Sequence, residues 1–129
     1  MKIKNISFFA CFFVFFLSCQ NRKKIENFDN EAFKKDRMAC SGKREQLITD
    51  FERIRKEIKG MYVIEVVNYL GRPDLEKLSD RGQKYFVYFL QKGGQCISRD
   101  SSITARTAVL RFNAMEFVTE VGYETGVPK

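Results

Sequence analysis

Residues 59–91 read KGMYVIEVVNYLGRPDLEKLSDRGQKYFVYFLQ, and the change of pattern inside this stretch decides the fold class. In its first half, Val63, Val66, Val67 and Leu70 recur at helical spacing and would lie on one side of a helix. Gly71 suits the left-handed position just past a helix, and Pro73 two residues later forbids continuation. So many β-branched residues make that helix dependent on packing rather than on propensity. Beyond Asp80-Arg81-Gly82 the character changes. Lys84 to Gln91 is aromatic and β-branched, as a strand would be, with Tyr85, Val87 and Phe89 alternating against Phe86, Tyr88 and Leu90.

Upstream, Leu47, Phe51, Ile54 and Ile58 are spaced 4, 3 and 4, which predicts an amphipathic helix over Lys43–Lys59 ended by Gly60. Asp29 is a good N-cap for a shorter helix, Asn30 to Met38, with Phe33 as its buried anchor and Ser41-Gly42 as its break. Downstream, Lys92-Gly93-Gly94 is a turn and Gln95-Cys96-Ile97 continues a strand. Thr104 to Phe112 reads as a second strand and Phe117 to Tyr123 as a third, joined through Asn113-Ala114-Met115. Helices first and an antiparallel meander after them predict an α+β fold, with two or three N-terminal helices packed on one face of a three-stranded sheet. Both parities of residues 84–91 are apolar, so one set would face away from the helices. Tyr85, Phe86, Tyr88 and Phe89 are therefore the candidate interface residues, the alternative being that the tether or the first helix covers that face.

At the N-terminus, Lys2 and Lys4 precede ten apolar residues, Phe8 to Leu17, which hold six of the chain's 13 Phe. A spanning helix needs about 20 apolar residues, so this run is too short to anchor the chain. A charged start, a short apolar core and a small residue before a cut describe a secretory signal. Phe16-Leu17-Ser18-Cys19 resembles a bacterial lipobox, with Cys19 the residue to be lipidated. The expected organisation is a signal peptide over residues 1–18, a lipidated tether over 19–27 and a single α+β domain over 28–129. Three acyl chains on Cys19 exceed the two signals that stable anchoring requires. Gln20 after the cysteine favours the outer membrane, facing the periplasm, by resemblance to enterobacterial sorting. Arg22-Lys23-Lys24 would lie close to the lipid head groups.

The formal net charge is +7, but Lys2, Lys4, Arg22, Lys23 and Lys24 carry most of it. Without those five the 23 basic residues fall to 18, against 16 acidic ones. The domain thus lacks the basic stripe of a nucleic-acid binder. With no His in the chain, His-based triads and His metal sites are excluded. No CxxC occurs, and Asp74, Glu76 and Asp80 lack the spacing of a calcium loop, so they read as solvated turn charges. Ser101-Ser102 has no His to serve as base, and Gly93-Gly94 precedes no phosphate-cradling helix. Neither enzymatic activity, cofactor nor metal is expected. Once Cys11 leaves with the leader and Cys19 takes lipid, Cys40 and Cys96 remain, an even pair that in an exported domain reads as a disulfide. Closing so long a loop would contribute about 4 kcal/mol.

Gly60, then Glu65-Val66 five residues on, then Leu70-Gly71-x-Pro73-Asp resembles the small outer-membrane lipoproteins of the SmpA/OmlA (BamE-like) type. That family usually places Ser or Thr three positions before the Glu, whereas this chain has Tyr62 and so loses the side-chain half of a capping box. The resemblance implies two helices on a three-stranded sheet and a non-enzymatic accessory or scaffold role in outer-membrane protein assembly or envelope integrity, with a protein partner. The alternative is a stand-alone periplasmic module that binds a peptide or lipid or acts as an inhibitor.

Overall fold

Asp29 opens the first helix: its carboxylate accepts the Ala32 N–H at 2.9 Å, satisfying a donor that the first turn leaves without a partner. The computed structural model describes residues 25–98 and 104–128. The leader over residues 1–18, the lipidation site Cys19, the basic run Arg22-Lys23-Lys24 and Ser101-Ser102 lie outside the described residues. The helices are α1 (Asn30–Lys35), α2 (Lys43–Gln46), α3 (Ile48–Ile58) and α4 (Val63–Leu70), with a 3-10 turn at Arg37–Ala39. Strands β1 (Leu75–Leu78), β2 (Lys84–Phe89), β3 (Arg106–Phe112) and β4 (Val118–Thr125) follow, with a second 3-10 turn at Gly94–Cys96. The sheet is antiparallel with order β1-β2-β3-β4.

The α+β class with helices first is what the sequence predicts, but the sheet has four strands rather than three. The added strand, β1, carries only LEKL and pairs Leu75 with Val87 and Leu78 with Lys84. Four residues on a sheet edge are too few for a period of two to stand out from a loop. Three boundaries also move. The first helix stops at Lys35 because the Asp36 carboxylate takes the Ser41 N–H at 2.8 Å, the Ser41 hydroxyl at 2.6 Å and the Arg44 N–H at 2.8 Å. A side chain that satisfies backbone donors in this way competes with helix continuation. The helix expected over 43–59 breaks at Leu47, just after Arg44 is tied down. Residues 95–97 form no strand, because Gln95 gives its amide to the carbonyls of Met38 (3.1 Å) and Gln91 (2.7 Å) and holds a tight turn.

The main core lies between the helices and one face of the sheet. Phe33, Phe51, Ile54, Ile58, Val66 and Leu70 meet Phe86, Tyr88, Leu90, Leu110 and Phe112 there. Rings of Phe28, Phe33 and Phe51 cluster with centroids 5.5 to 6.2 Å apart. Ile25 is buried in the same core, so packing begins inside the stretch expected as tether. On the opposite face Phe89 packs with Ala39 and Ala105, and Val127 and Met38 lie against them. The segment after β4 crosses that face: Gly126 donates to the Ala105 carbonyl at 2.8 Å and accepts the Thr107 hydroxyl at 2.8 Å, while the Pro128 carbonyl receives the Lys77 ammonium.

Candidate interaction surface

Three of the four candidate interface residues are not on the surface. Phe86 and Tyr88 are in the main core and Phe89 is in the second cluster, each at most 3 % exposed. Only Tyr85 is partly accessible, beside Lys77, Leu78 and Pro128 in an open depression. One of the two alternating sets does face away from the helices, with Phe89 on that side. That face is covered instead by Met38–Ala39 and by the segment through Val127, so β2 is dry on both sides at its C-terminal half. Phe86, Tyr88 and Phe89 therefore offer no apolar surface on this strand for a partner.

The largest departure from the sequence reading is Asp74, expected as a solvated charge. Its side chain is 0 % exposed and forms an ion pair with Arg44, whose side chain is equally buried. Asp74 also accepts the Phe89 N–H at 2.9 Å and the Met38 N–H at 3.1 Å, with the Arg37 guanidinium 3.6 Å away. Arg44 gives Nε to the Phe33 carbonyl at 2.9 Å and a terminal nitrogen to the Phe89 carbonyl at 3.1 Å. Its guanidinium carbon lies 4.3 Å from the centre of the Phe33 ring. One terminal nitrogen, Nη2, has no protein partner. Burial pushes the Asp36 carboxyl up, but the Ser41 and Arg44 hydrogen bonds and the Arg44 charge together hold it below its ordinary value. Burial pushes the Tyr88 phenol up, with the Asp74 carboxylate adding to it. This cluster ties the α1–α2 region to the α4–β1 turn and to β2. Its work is structural.

The residues that carry the family-like pattern bracket α4: Gly60 and Glu65 at its start, Leu70, Gly71 and Pro73 at its end. Val66 and Leu70 are fully buried. Glu65 turns back to accept the Tyr62 N–H at 2.8 Å, while its own N–H finds the Tyr62 carbonyl at 2.9 Å, so backbone supplies what a Ser or Thr hydroxyl would. Gly71 has φ 83°, accepts the Tyr88 hydroxyl at 2.8 Å and lets Lys34 approach so closely that a Cβ would lie 3.1 Å from its Cγ. Pro73 offers its carbonyl to Arg37 at 3.3 Å. Gly60 donates to the Val118 carbonyl at 2.8 Å and brings the start of α4 against the β3–β4 turn.

Four of the six exposed large apolar side chains among the described residues belong to this meeting point. Tyr62 bridges to Phe117, their ring centres 5.4 Å apart. The turn is held by Asn113, whose side-chain oxygen accepts the N–H groups of Met115 and Phe117 at 3.0 Å each. Met115 is 73 % exposed, Ile64 54 %, Phe117 39 % and Tyr62 37 %. Glu116, at φ 64°, binds the Lys84 ammonium at 2.7 Å and the Tyr62 hydroxyl at 3.3 Å. The hydrogen bond from Lys84 is the main reason the Glu116 carboxyl sits below its usual range, and the same bond holds the Lys84 ammonium above its own. Leu78, 70 % exposed, lies opposite Lys84 in the sheet and extends the patch. Sequence reading missed this tip, because Tyr62 belongs to one element and Met115 and Phe117 to another more than fifty residues away.

Cys40 and Cys96 are joined by a disulfide with a Cα–Cα distance of 5.6 Å. Among the described residues no group of His, Cys, Asp and Glu could hold a metal ion, and no helix is long and apolar enough to cross a membrane. Fold and surface together define a small disulfide-linked α+β domain with one apolar end. Compared with known proteins, the chain matches no family model, no curated protein and no solved structure.

Proposed function

We propose that this is a lipid-anchored protein of the bacterial envelope, held through Cys19 in the outer membrane on its periplasmic side. On this reading it is a non-enzymatic accessory or scaffold subunit of an envelope protein complex, as its resemblance to the SmpA/OmlA (BamE-like) lipoproteins implies. The lipobox-like Phe16-Leu17-Ser18-Cys19 supports the anchor. The observation that carries the role is the apolar tip and its position. The chain enters the domain at Ile25–Phe28, where Phe28 lies against Tyr69 in the last turn of α4, with ring centres 5.9 Å apart. Tyr62 stands at the other end of that helix. With the chain entering at one end of α4 and the apolar tip at the other, the tip would be free to meet a protein partner. Contiguous exposed apolar surface of this kind is characteristic of an interface.

The test uses a photoreactive residue in place of Met115 in the membrane-bound protein, with Glu45 substituted likewise as a control. Crosslinks to one discrete partner from position 115 alone are expected, and Phe117→Asp should abolish them. Equal yields from both positions would remove the tip from the account. The anchor is tested separately: a tagged fatty acid should label the protein, and the Cys19→Ala form should carry no label.

A further inference from the structure

The disulfide joins two 3-10 turns that are held very unequally by everything else. On one side, Met38 and Ala39 both take left-handed backbone conformations, φ 60° and 59°, which non-glycine residues adopt only when their surroundings impose them. Those surroundings are strong: Asp74 binds the Met38 N–H, Arg37 reaches the carbonyls of Arg72 and Pro73, and Ala39 is fully buried. On the other side, the turn Gly94–Cys96 has no buried residue. Besides the disulfide, side-chain ties from this turn to the rest of the domain come from the Gln95 amide. Gln95 Oε1 is itself buried without a partner. Cys40 and Cys96 are both solvent-exposed.

We propose that Cys40–Cys96 is a thiol–disulfide exchange site, opened by a dithiol in the folded protein, and that opening frees the turn Gly94–Cys96 while leaving the rest of the domain in place. A thiolate of the dithiol attacks one of the two sulfurs, the Cys40–Cys96 bond breaks, and the other cysteine leaves as thiolate and takes up a proton. The second thiol of the dithiol then resolves the mixed disulfide. The dithiol is oxidised to its disulfide by two electrons, and Cys40 and Cys96 are reduced to thiols. Exposure is what makes such a bond labile, since attack requires access to sulfur. The consequence is one-sided because the Arg44–Asp74 cluster fixes the Met38–Ala39 side independently.

The test begins with the oxidised protein, without denaturant, in a series of dithiothreitol concentrations, with the free thiols alkylated and weighed. The reduction rate should rise in proportion to dithiol concentration. A rate that levels off at the rate of global unfolding, or no reaction until denaturant is added, would overturn the proposal. Hydrogen exchange on the reduced protein should then show the amides of Cys96, Ile97 and Ser98 losing about tenfold or more in protection, with β2 and β3 unchanged within about twofold. Protection lost throughout the sheet, or kept at all three amides, overturns it. The Cys40→Ser, Cys96→Ser protein should fold and repeat the reduced pattern; failure to fold would show that the charge cluster cannot hold the domain alone, and would equally refute the idea.

Discussion

Arg44 with Asp74 and Lys84 with Glu116 are the same pairing of charges placed in two settings. Each has aromatic company: Phe33 and Tyr88 around the guanidinium, Phe86 and Tyr62 around the ammonium and its carboxylate. Arg44 and Asp74 are wholly withdrawn from water, whereas Glu116 keeps 42 % of its side-chain surface in solvent. A buried pair is costly to form and far costlier to break, because removing one member leaves the other charged and alone in a poor dielectric. A solvated pair loses little when broken, since water replaces the missing partner. The first pair therefore specifies how segments join, and the second leaves the tip free to be shaped by recognition.

The sharpest way to break the comparison is Asp74→Ala, which strands the Arg44 guanidinium. The loss should be about 3–5 kcal/mol, read from urea unfolding. Replacing both members, Arg44→Met with Asp74→Leu, should recover a large part of it. A single variant as stable as the parent would mean that the buried pair is not buried in solution.

Acid provides the next probe. The Asp36 carboxyl is held below its ordinary value in the folded protein, so its contribution is fully present above the unfolded value of about 3.9 and is lost as pH falls through the folded one. Urea midpoints should drop steeply below about pH 4 for the parent and less steeply for Asp36→Asn. Parallel curves would deny Asp36 this role.

Smaller again is Phe117→Ala, which removes a ring contact worth about 0.5–1.5 kcal/mol while leaving the strands paired. Smallest of all, Glu116→Gln should leave the melting temperature almost unmoved and let the Lys84 ammonium titrate nearer its ordinary pKa by NMR. A large drop in melting temperature from Glu116→Gln would erase the contrast between the two regions.

What could be read beforehand follows the same division. The end of α4 is legible because Gly71 and Pro73 act locally, and β2 and β3 because six or seven residues suffice to show β-branched and aromatic enrichment. The even pair Cys40 and Cys96 points to a bond by count and compartment alone. Arg44 and Asp74 are opaque because charge is ordinarily read as surface. Yet Arg44 lies three residues before Leu47, on the same stripe as Phe51, Ile54 and Ile58, and that placement was the available signal. The cover over the second face of β2 is half legible: Met38 ends the stretch expected as the first helix, whereas residues 126–127, the other part of the cover, lie far along the chain.

The reach of Arg44 also bears on the order of assembly. Its acceptors on Asp74 and Phe89 lie 30 and 45 residues further along the chain. Translation at about 5–20 residues per second delivers the guanidinium seconds before either of them. By the time Asp74 is made, α1, α2 and α3 are complete as sequence, but the Phe89 carbonyl is still missing. Within the helical half the guanidinium has only the Phe33 carbonyl to bind, so the join between α2, the α4–β1 turn and β2 can close only after Phe89 has been made.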